Sequence, residues 1–362
     1  MNNLQNARKI INRIDKEMAQ LFELRMDAVK LVTEYKKENG IPIDDFKREA
    51  EIIKKNSELI NNDEYKSYYV NFLKNTIKLS KDMQHKLLEG MKVGYSGTRG
   101  AFANIAAERI FPDGECIPYP DFKSAYTACE NGECDCVVLP IENSYNGDVG
   151  NVLDLAFFGS LYINGIYEAE IIQNLLGIKG ASIEDVKTVI SHPQALGQCA
   201  EFIEKHCFNT EEAVNTAIAA KTVASGNDKS VAAIASAEAG EMFGLSVLAT
   251  HINKSSTNTT RFAVFSRSKR ASSPTDERFI MLFTVKNTAG SLGNAISIIG
   301  QYGFNLQALK SRPTKDLTWD YYFYIEGEGN IDTPEGNAML KKLSECCADL
   351  KVLGTFHKEI HI

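Results

Sequence analysis

The chain has 362 residues, 44% hydrophobic and 24% charged, with a formal net charge of −7. This is the composition of a soluble globular protein long enough for two or three domains, and it excludes disordered, collagen-like and coiled-coil classes. The negative charge argues against a nucleic-acid surface, and no run of 18 apolar residues offers a membrane span.

The charge is uneven. Residues 1–90 hold 17 Lys and Arg against 15 Asp and Glu, and the remainder 23 against 32. Eight cysteines without a basic-then-apolar N-terminal segment point to a cytoplasmic protein with free thiols.

Residues 4–88 contain one Gly and one Pro, in the break NGIP at 39–42, and the spacing predicts long helices. A first helix ends near Glu38, with Ile10, Ile14, Met18, Leu21, Phe22, Val29 and Val32 on its apolar positions. Asp44 or Asp45 caps a second, and Tyr65 to Leu88 form a third with Phe72, Leu73, Ile77 and Leu87 on its buried stripe. Three such helices bury little alone, so a partner copy is expected.

Polar residues interrupt these stripes. Arg25 stands four residues after Leu21 and four before Val29, and Lys36 lies within about 20° of the same face, eleven residues on. Buried cations need either protein carboxylates, here Asp45 or Glu49, or an anionic ligand. Ser80 and Gln84 extend the stripe of the third helix with neutral hydrogen-bonding groups. Cations, a hydroxyl, an amide and two carboxylates, without a metal cluster, suit a small dianion and a reaction that needs no proton shuttle.

Over 4–88 these residues resemble the all-helical chorismate mutase family. The resemblance implies an intertwined dimer and substrate-binding roles for Arg8, Arg25, Asp45, Arg48, Glu49 and Ser80. Arg8 would reach the partner's site. Rearrangement of chorismate to prephenate is pericyclic, so catalysis means holding the folded conformer and stabilising charge on the breaking ether oxygen. Lys36 and Gln84 are the expected catalytic residues.

From Met91 to Phe265 the texture becomes α/β, with strands predicted at 92–95, 136–141, 186–190, 230–236 and 261–265. The loops SGTRGAF (96–102), ENSYNGDVG (142–150), SHPQALGQC (191–199) and the Ser236 turn each follow a strand, where open α/β sheets bind ligands. Helices are predicted to begin at Ala101 and Pro193. His192, before a proline and without an acid partner, reads as a cap. Cys134 and Cys136 share a strand face, Cys346 and Cys347 lie in a helix, and His192, Cys199, His206 and Cys207 lack chelate spacing, so no metal and no cofactor is expected.

Together Ile141-Glu142-Asn143-Ser144, Ser191 to Gln198 and Asn258-Thr259-Thr260-Arg261-Phe262 resemble the prephenate dehydratase family. The resemblance implies two lobes like a periplasmic binding protein, catalysis by Thr260, and substrate binding by Asn143, Ser191 and Gln198. Prephenate loses its ring hydroxyl and CO₂, and Thr260 is read as a positioned donor to the leaving hydroxyl, backed by Glu142 or a water.

RSKRASSPTDER at 267–278 reads as a linker between a domain at 91–266 and one at 278–362. Beyond it, strands at RFIMLFTV, NLQALKSR, WDYYFYIEG and KVLGTF with helices at 291–302 and 334–350 spell β-α-β-β-α-β, the ferredoxin-like split. This resembles an ACT domain, which implies a phenylalanine site at Gly290-Ser291-Leu292 and Lys310-Ser311-Arg312-Pro313. Lys310 stands where the family carries an acid. A lysine would repel the effector's ammonium, so weakened inhibition, tightened by Lys310→Glu, is expected. The reading is a bifunctional enzyme of phenylalanine biosynthesis, a homodimer or larger. Its rivals are an arogenate-preferring dehydratase and a non-catalytic amino-acid sensor.

Overall fold

A computed structural model of the chain describes residues 3–39, 46–254, 258–270, 272–314, 320–358 and 360–362. They fall into two compact units, Met1–Met91 and Lys92–Ile362. In the first, the uninterrupted helical period gives α1 (Asn3–Asn39), α2 (Phe46–Ser57) and α3 (Asp63–Glu89). Asn62 caps α3 by accepting from the Glu64 N–H, so the helix begins at Asp63, two residues before the start read from the sequence. Asp44 and Asp45 lie outside the described residues.

Val29 on α1 and Leu73 and Ile77 on α3 are buried, whereas most of the apolar face of α1 is not: Leu21 is 64% and Val32 48% exposed. Phe72 and Leu87, expected on the buried stripe, are also largely exposed. One copy of three helices has no second layer for this face.

The second unit begins with β1 (Lys92–Ser96), α4 (Phe102–Ile110), β2 (Glu115–Tyr119), α5 (Phe122–Asn131), β3 (Cys136–Asn143), β4 (Gly147–Asp148), α6 (Gly150–Phe158) and β5 (Tyr162–Glu170). A second sheet follows in β6 (Asn174–Gly177), β7 (Thr188–Ser191), α7 (Pro193–Gln198), α8 (Ala200–Lys205), β8 (Asn209–Glu212), α9 (Thr216–Gly226), β9 (Val231–Ala235), α10 (Ala237–Phe243) and β10 (Ser246–Ala249). The chain then returns to the first sheet as β11 (Thr259–Ser266), which slots antiparallel between β3 and β5. Two crossings, one at 171–173 and one between β10 and β11, therefore join two α/β lobes, the architecture of a periplasmic binding protein. They hold each other through Ile171 N–H to Asn258 O (2.7 Å) and Ile252 N–H to Gln173 O (2.9 Å).

The last part comprises β12 (Arg278–Val285), α11 (Ser291–Gln301), β13 (Leu306–Pro313), β14 (Tyr321–Glu328), α12 (Pro334–Leu343), β15 (Cys347–Phe356) and β16 (Ile360–His361). Its sheet runs β13-β14-β12-β15, antiparallel throughout. Cys346 and Cys347 are not helical as expected: α12 stops at Leu343, and Cys347 and Ala348 pair with Val285 and Thr284 of β12. Ladder formation outweighs local helix propensity there. All eight cysteines are free thiols.

The run FIMLF in β12 does not alternate because both of its faces are covered. Phe279, Met281 and Phe283 pack with Ile298, Ile325 and Met339 of the same sheet-and-helix layer. Ile280 and Leu282, with Tyr322, Tyr324 and Leu353, share a core with Leu139, Ile163 and Phe265 of the first lobe. At Gly354 a Cβ would sit 1.9 Å from the Ile163 carbonyl, so only glycine lets β15 approach β5 this closely. The described residues 267–270 and 272–278 are accordingly no loose linker. Asp276 is buried against Arg270 (2.5 Å), and Asn164 of β5 accepts the Arg270 N–H (2.8 Å).

Candidate active sites

In the helical unit Arg25 of α1 reaches α3, where an Nη donates to Ser80 Oγ and, at 3.4 Å, to the Thr76 carbonyl. Ser80 in turn donates to that carbonyl (2.8 Å). Burial lowers the guanidinium pKa from its ordinary value, the mark of a cation that is partly desolvated. One turn beyond Ser80, Gln84 is 7% exposed and its Oε1 has no partner among the described residues. A buried amide oxygen left unmatched is costly, which marks a place for a ligand or a partner chain.

Lys36 is half-buried on α1. Glu49 pairs with Lys81 of α3 (3.0 Å); Lys81 escaped the sequence reading because a lysine beside a stripe looks like solvated surface. Arg48 is exposed, 3.7 Å from Glu51, and Arg8 is exposed near the start of α1. Asp45 lies outside the described residues.

In the α/β unit the β3/β11 register sets Asn143 opposite Thr260 and Glu142 opposite Arg261. Asn143 Nδ2 donates to Thr260 Oγ1 (2.9 Å) and to Asn258 Oδ1 (2.9 Å). Asn143 Oδ1 is held by the backbone N–H groups of Tyr145 (3.1 Å) and Asn146 (3.0 Å), which fixes the amide's orientation. Asn258 Nδ2 continues to Gln198 Oε1 (3.1 Å) on α7 of the other lobe. A chain of buried polar side chains thus runs Thr260–Asn143–Asn258–Gln198 across the crossing segment. Among the described residues nothing accepts the Thr260 proton.

Ser191 is fully buried and donates to the Ile234 carbonyl of the neighbouring strand β9 (2.6 Å), apart from this polar relay. His192 caps α7 by accepting the Gln194 N–H (3.2 Å). Asn258, the first residue of the Asn258–Phe262 motif, is the link between lobes through its place in the crossing.

Glu142 does not back Thr260. Alternation along β3 turns it to the opposite face, where it receives Arg261 (2.8 Å) and Lys310 of β13 (3.0 Å). Burial pushes its carboxyl up, but these two cations outweigh that and hold it below its usual value. Lys310 also binds Asp148 (2.6 Å), and Arg312 forks onto Asp154 of α6 (2.7 and 3.0 Å). Both side chains expected at an effector site therefore face the dehydratase-like lobe. Ser311 and Pro313 are exposed on β13. Gly290, at φ +83°, is the N-cap of α11, followed by Ser291 and the partly buried Leu292.

Known proteins match both units. The chorismate mutase type II family model matches residues 7–85 and the prephenate dehydratase model residues 93–270. A bifunctional chorismate mutase/prephenate dehydratase from Aquifex aeolicus is 32% identical over 99% of both chains. Arogenate dehydratase 2 of Petunia hybrida is 34% identical over 76% of this chain and 75% of its own. A solved prephenate dehydratase from Arthrobacter aurescens in complex with L-Phe aligns with 74% of this chain and 90% of its own, at a TM-score of 0.68 and 25% identity.

A helical unit with a cationic, amide-lined stripe, followed by a two-lobed α/β unit with a polar chain between its lobes, defines an enzyme with two separate sites. The chain belongs to the bifunctional chorismate mutase/prephenate dehydratase family, and it carries both the isomerase and the lyase.

Proposed function

We propose that the helical unit converts chorismate to prephenate and that the Thr260 cluster converts prephenate to phenylpyruvate, CO₂ and water. The observation that carries the second assignment is the Asn143–Thr260 hydrogen bond. An amide N–H donated to Oγ1 leaves the threonine proton for an external acceptor. As the ring C–O bond breaks and the carboxylate leaves as CO₂, its electron pair completes the aromatic ring. The departing hydroxide takes a proton, and a hydroxyl aimed at it stabilises the negative charge as it forms. Asn143, Gln198 and Ser191 are read as substrate-binding neighbours.

In the helical unit Arg25 with Ser80 receives a substrate carboxylate, while Lys36 and the Gln84 amide N–H donate to the breaking ether oxygen. Arg48, Glu49 and Asp45 are read as further substrate-binding residues. Arg8 and Arg25 are separated along α1 by about 25 Å at 1.5 Å per residue, too far for both to hold one small dianion in a single chain. Arg8 therefore serves a second copy's site, and that copy covers the exposed face of α1. Leu21→Glu is expected to lower mutase activity at least about tenfold by charging that face, with dehydration of supplied prephenate retained; mutase activity within twofold of wild type would contradict the shared site.

The β-α-β-β-α-β layer is read as an ACT module that binds phenylalanine at Gly290, Ser291 and Leu292 with Ser311 and Pro313, and lowers the dehydratase rate. The cytoplasm is the compartment that fits eight free thiols. Gly290→Ala strains a residue at φ +83°, and it is expected to weaken phenylalanine inhibition with the uninhibited rate preserved. Unchanged inhibition would place the effector elsewhere. The reading as a whole is tested by supplying prephenate and arogenate separately: faster turnover of prephenate supports it, and turnover of arogenate alone contradicts it.

A further inference from the structure

Glu142 and Asp148 stand directly opposite each other on the β3–β4 hairpin. Like charges in that position push strands apart. The hairpin nevertheless holds Asn143, the residue after Glu142, within 2.9 Å of Thr260. What neutralises the pair comes from another layer: Lys310 Nζ of β13 lies 3.0 Å from Glu142 Oε1 and 2.6 Å from Asp148 Oδ1. It also sits 5.5 Å from the centroid of the Tyr324 ring.

The other strand of the catalytic pair is held in the same way. Arg261, next to Thr260, donates to both oxygens of Glu326 on β14 (3.0 and 2.9 Å) and to Glu142 (2.8 Å), with the Arg261 and Glu326 side chains only 15% and 7% exposed. Tyr324 adds a hydrogen bond to Glu326 (2.5 Å). Between Arg261 and Phe262 the β3/β11 register shifts, the signature of a bulge that re-aims neighbouring side chains. Thr260 and Asn143 on one face are thus fastened through Arg261 and Glu142 on the other.

We propose that Lys310 is a positioning residue of the dehydratase: by neutralising the Glu142–Asp148 pair it keeps Asn143 in register with Thr260. The inference rests on the reading of Asn143 and Thr260 as the reacting pair. It also replaces the sequence expectation for Lys310→Glu. With three carboxylates brought together, that variant disrupts the hairpin and cannot be a simple gain in effector affinity.

The test compares Lys310→Glu with the charge swap Lys310→Glu/Asp148→Lys in the full chain, measuring dehydratase kcat and KM with supplied prephenate, and mutase activity as a check that the chain is folded. Lys310→Glu is expected to lower dehydratase kcat at least about tenfold with a smaller change in KM, and the swap to recover most of it, as coupled charges do. Lys310→Met, which adds no charge, should fall between wild type and Lys310→Glu, and it serves if Lys310→Glu proves unstable. A kcat within twofold of wild type in both single variants would overturn the proposal, as would a swap no better than Lys310→Glu. Thr260→Val run in parallel separates the two claims: if it is fully active the reading of the reacting pair fails, and if it is inactive while the Lys310 variants are normal only this inference fails.

Discussion

Thr260→Val is expected to lower dehydratase kcat by about 10²–10³, the range seen when a donor to developing negative charge is removed. Valine keeps the branched shape, so the β3/β11 ladder is untouched, and Asn143 retains its second acceptor in Asn258 Oδ1. Folding should therefore change little, and prephenate binding should weaken far less than turnover. Fed with chorismate, the variant should accumulate prephenate. Equal losses in binding and rate would make Thr260 a ligand contact only, and an unchanged rate would remove it from the mechanism.

Lys36→Ala is the converse. A single preorganised cation on the ether oxygen acts only as negative charge builds there, so its loss should cost the mutase about 10²–10³ in kcat with a smaller effect on KM. Lys36 and Thr260 lie in different compact units, and dehydration of supplied prephenate should continue at the wild-type rate. Mutase turnover within a few fold of wild type would show that the helical site is misassigned.

The parts of this architecture that local pattern controls were legible in the sequence. The helical period of residues 4–88, the Pro193 start of α7 and the cap of His192 depend on neighbours a few residues away. Strands that carry polar or turn-like residues were not seen: β5, with Asn164-Gly165 in its middle, and the wholly exposed β8 owe their conformation to pairing with distant strands. The same holds for the sites. Arg25, Ser80 and Gln84 stood out because each breaks an apolar stripe. Glu142 was set beside Thr260 by motif adjacency, yet adjacent positions on a strand face opposite ways, and only the β3/β11 register shows which residues share a face. Lys310, Arg312 and Glu326 could be placed only once the two-faced burial of β12 brought the C-terminal sheet against the first lobe. Nothing local distinguishes that burial from a tethered domain.

The most direct test of the account is to give the purified chain chorismate alone and follow chorismate, prephenate and phenylpyruvate together. The account predicts that chorismate is consumed and phenylpyruvate appears after a transient of prephenate, with Lys36→Ala blocking the first step and Thr260→Val the second. Chorismate left unchanged, or phenylpyruvate formed at the wild-type rate by the Thr260→Val chain, would contradict it.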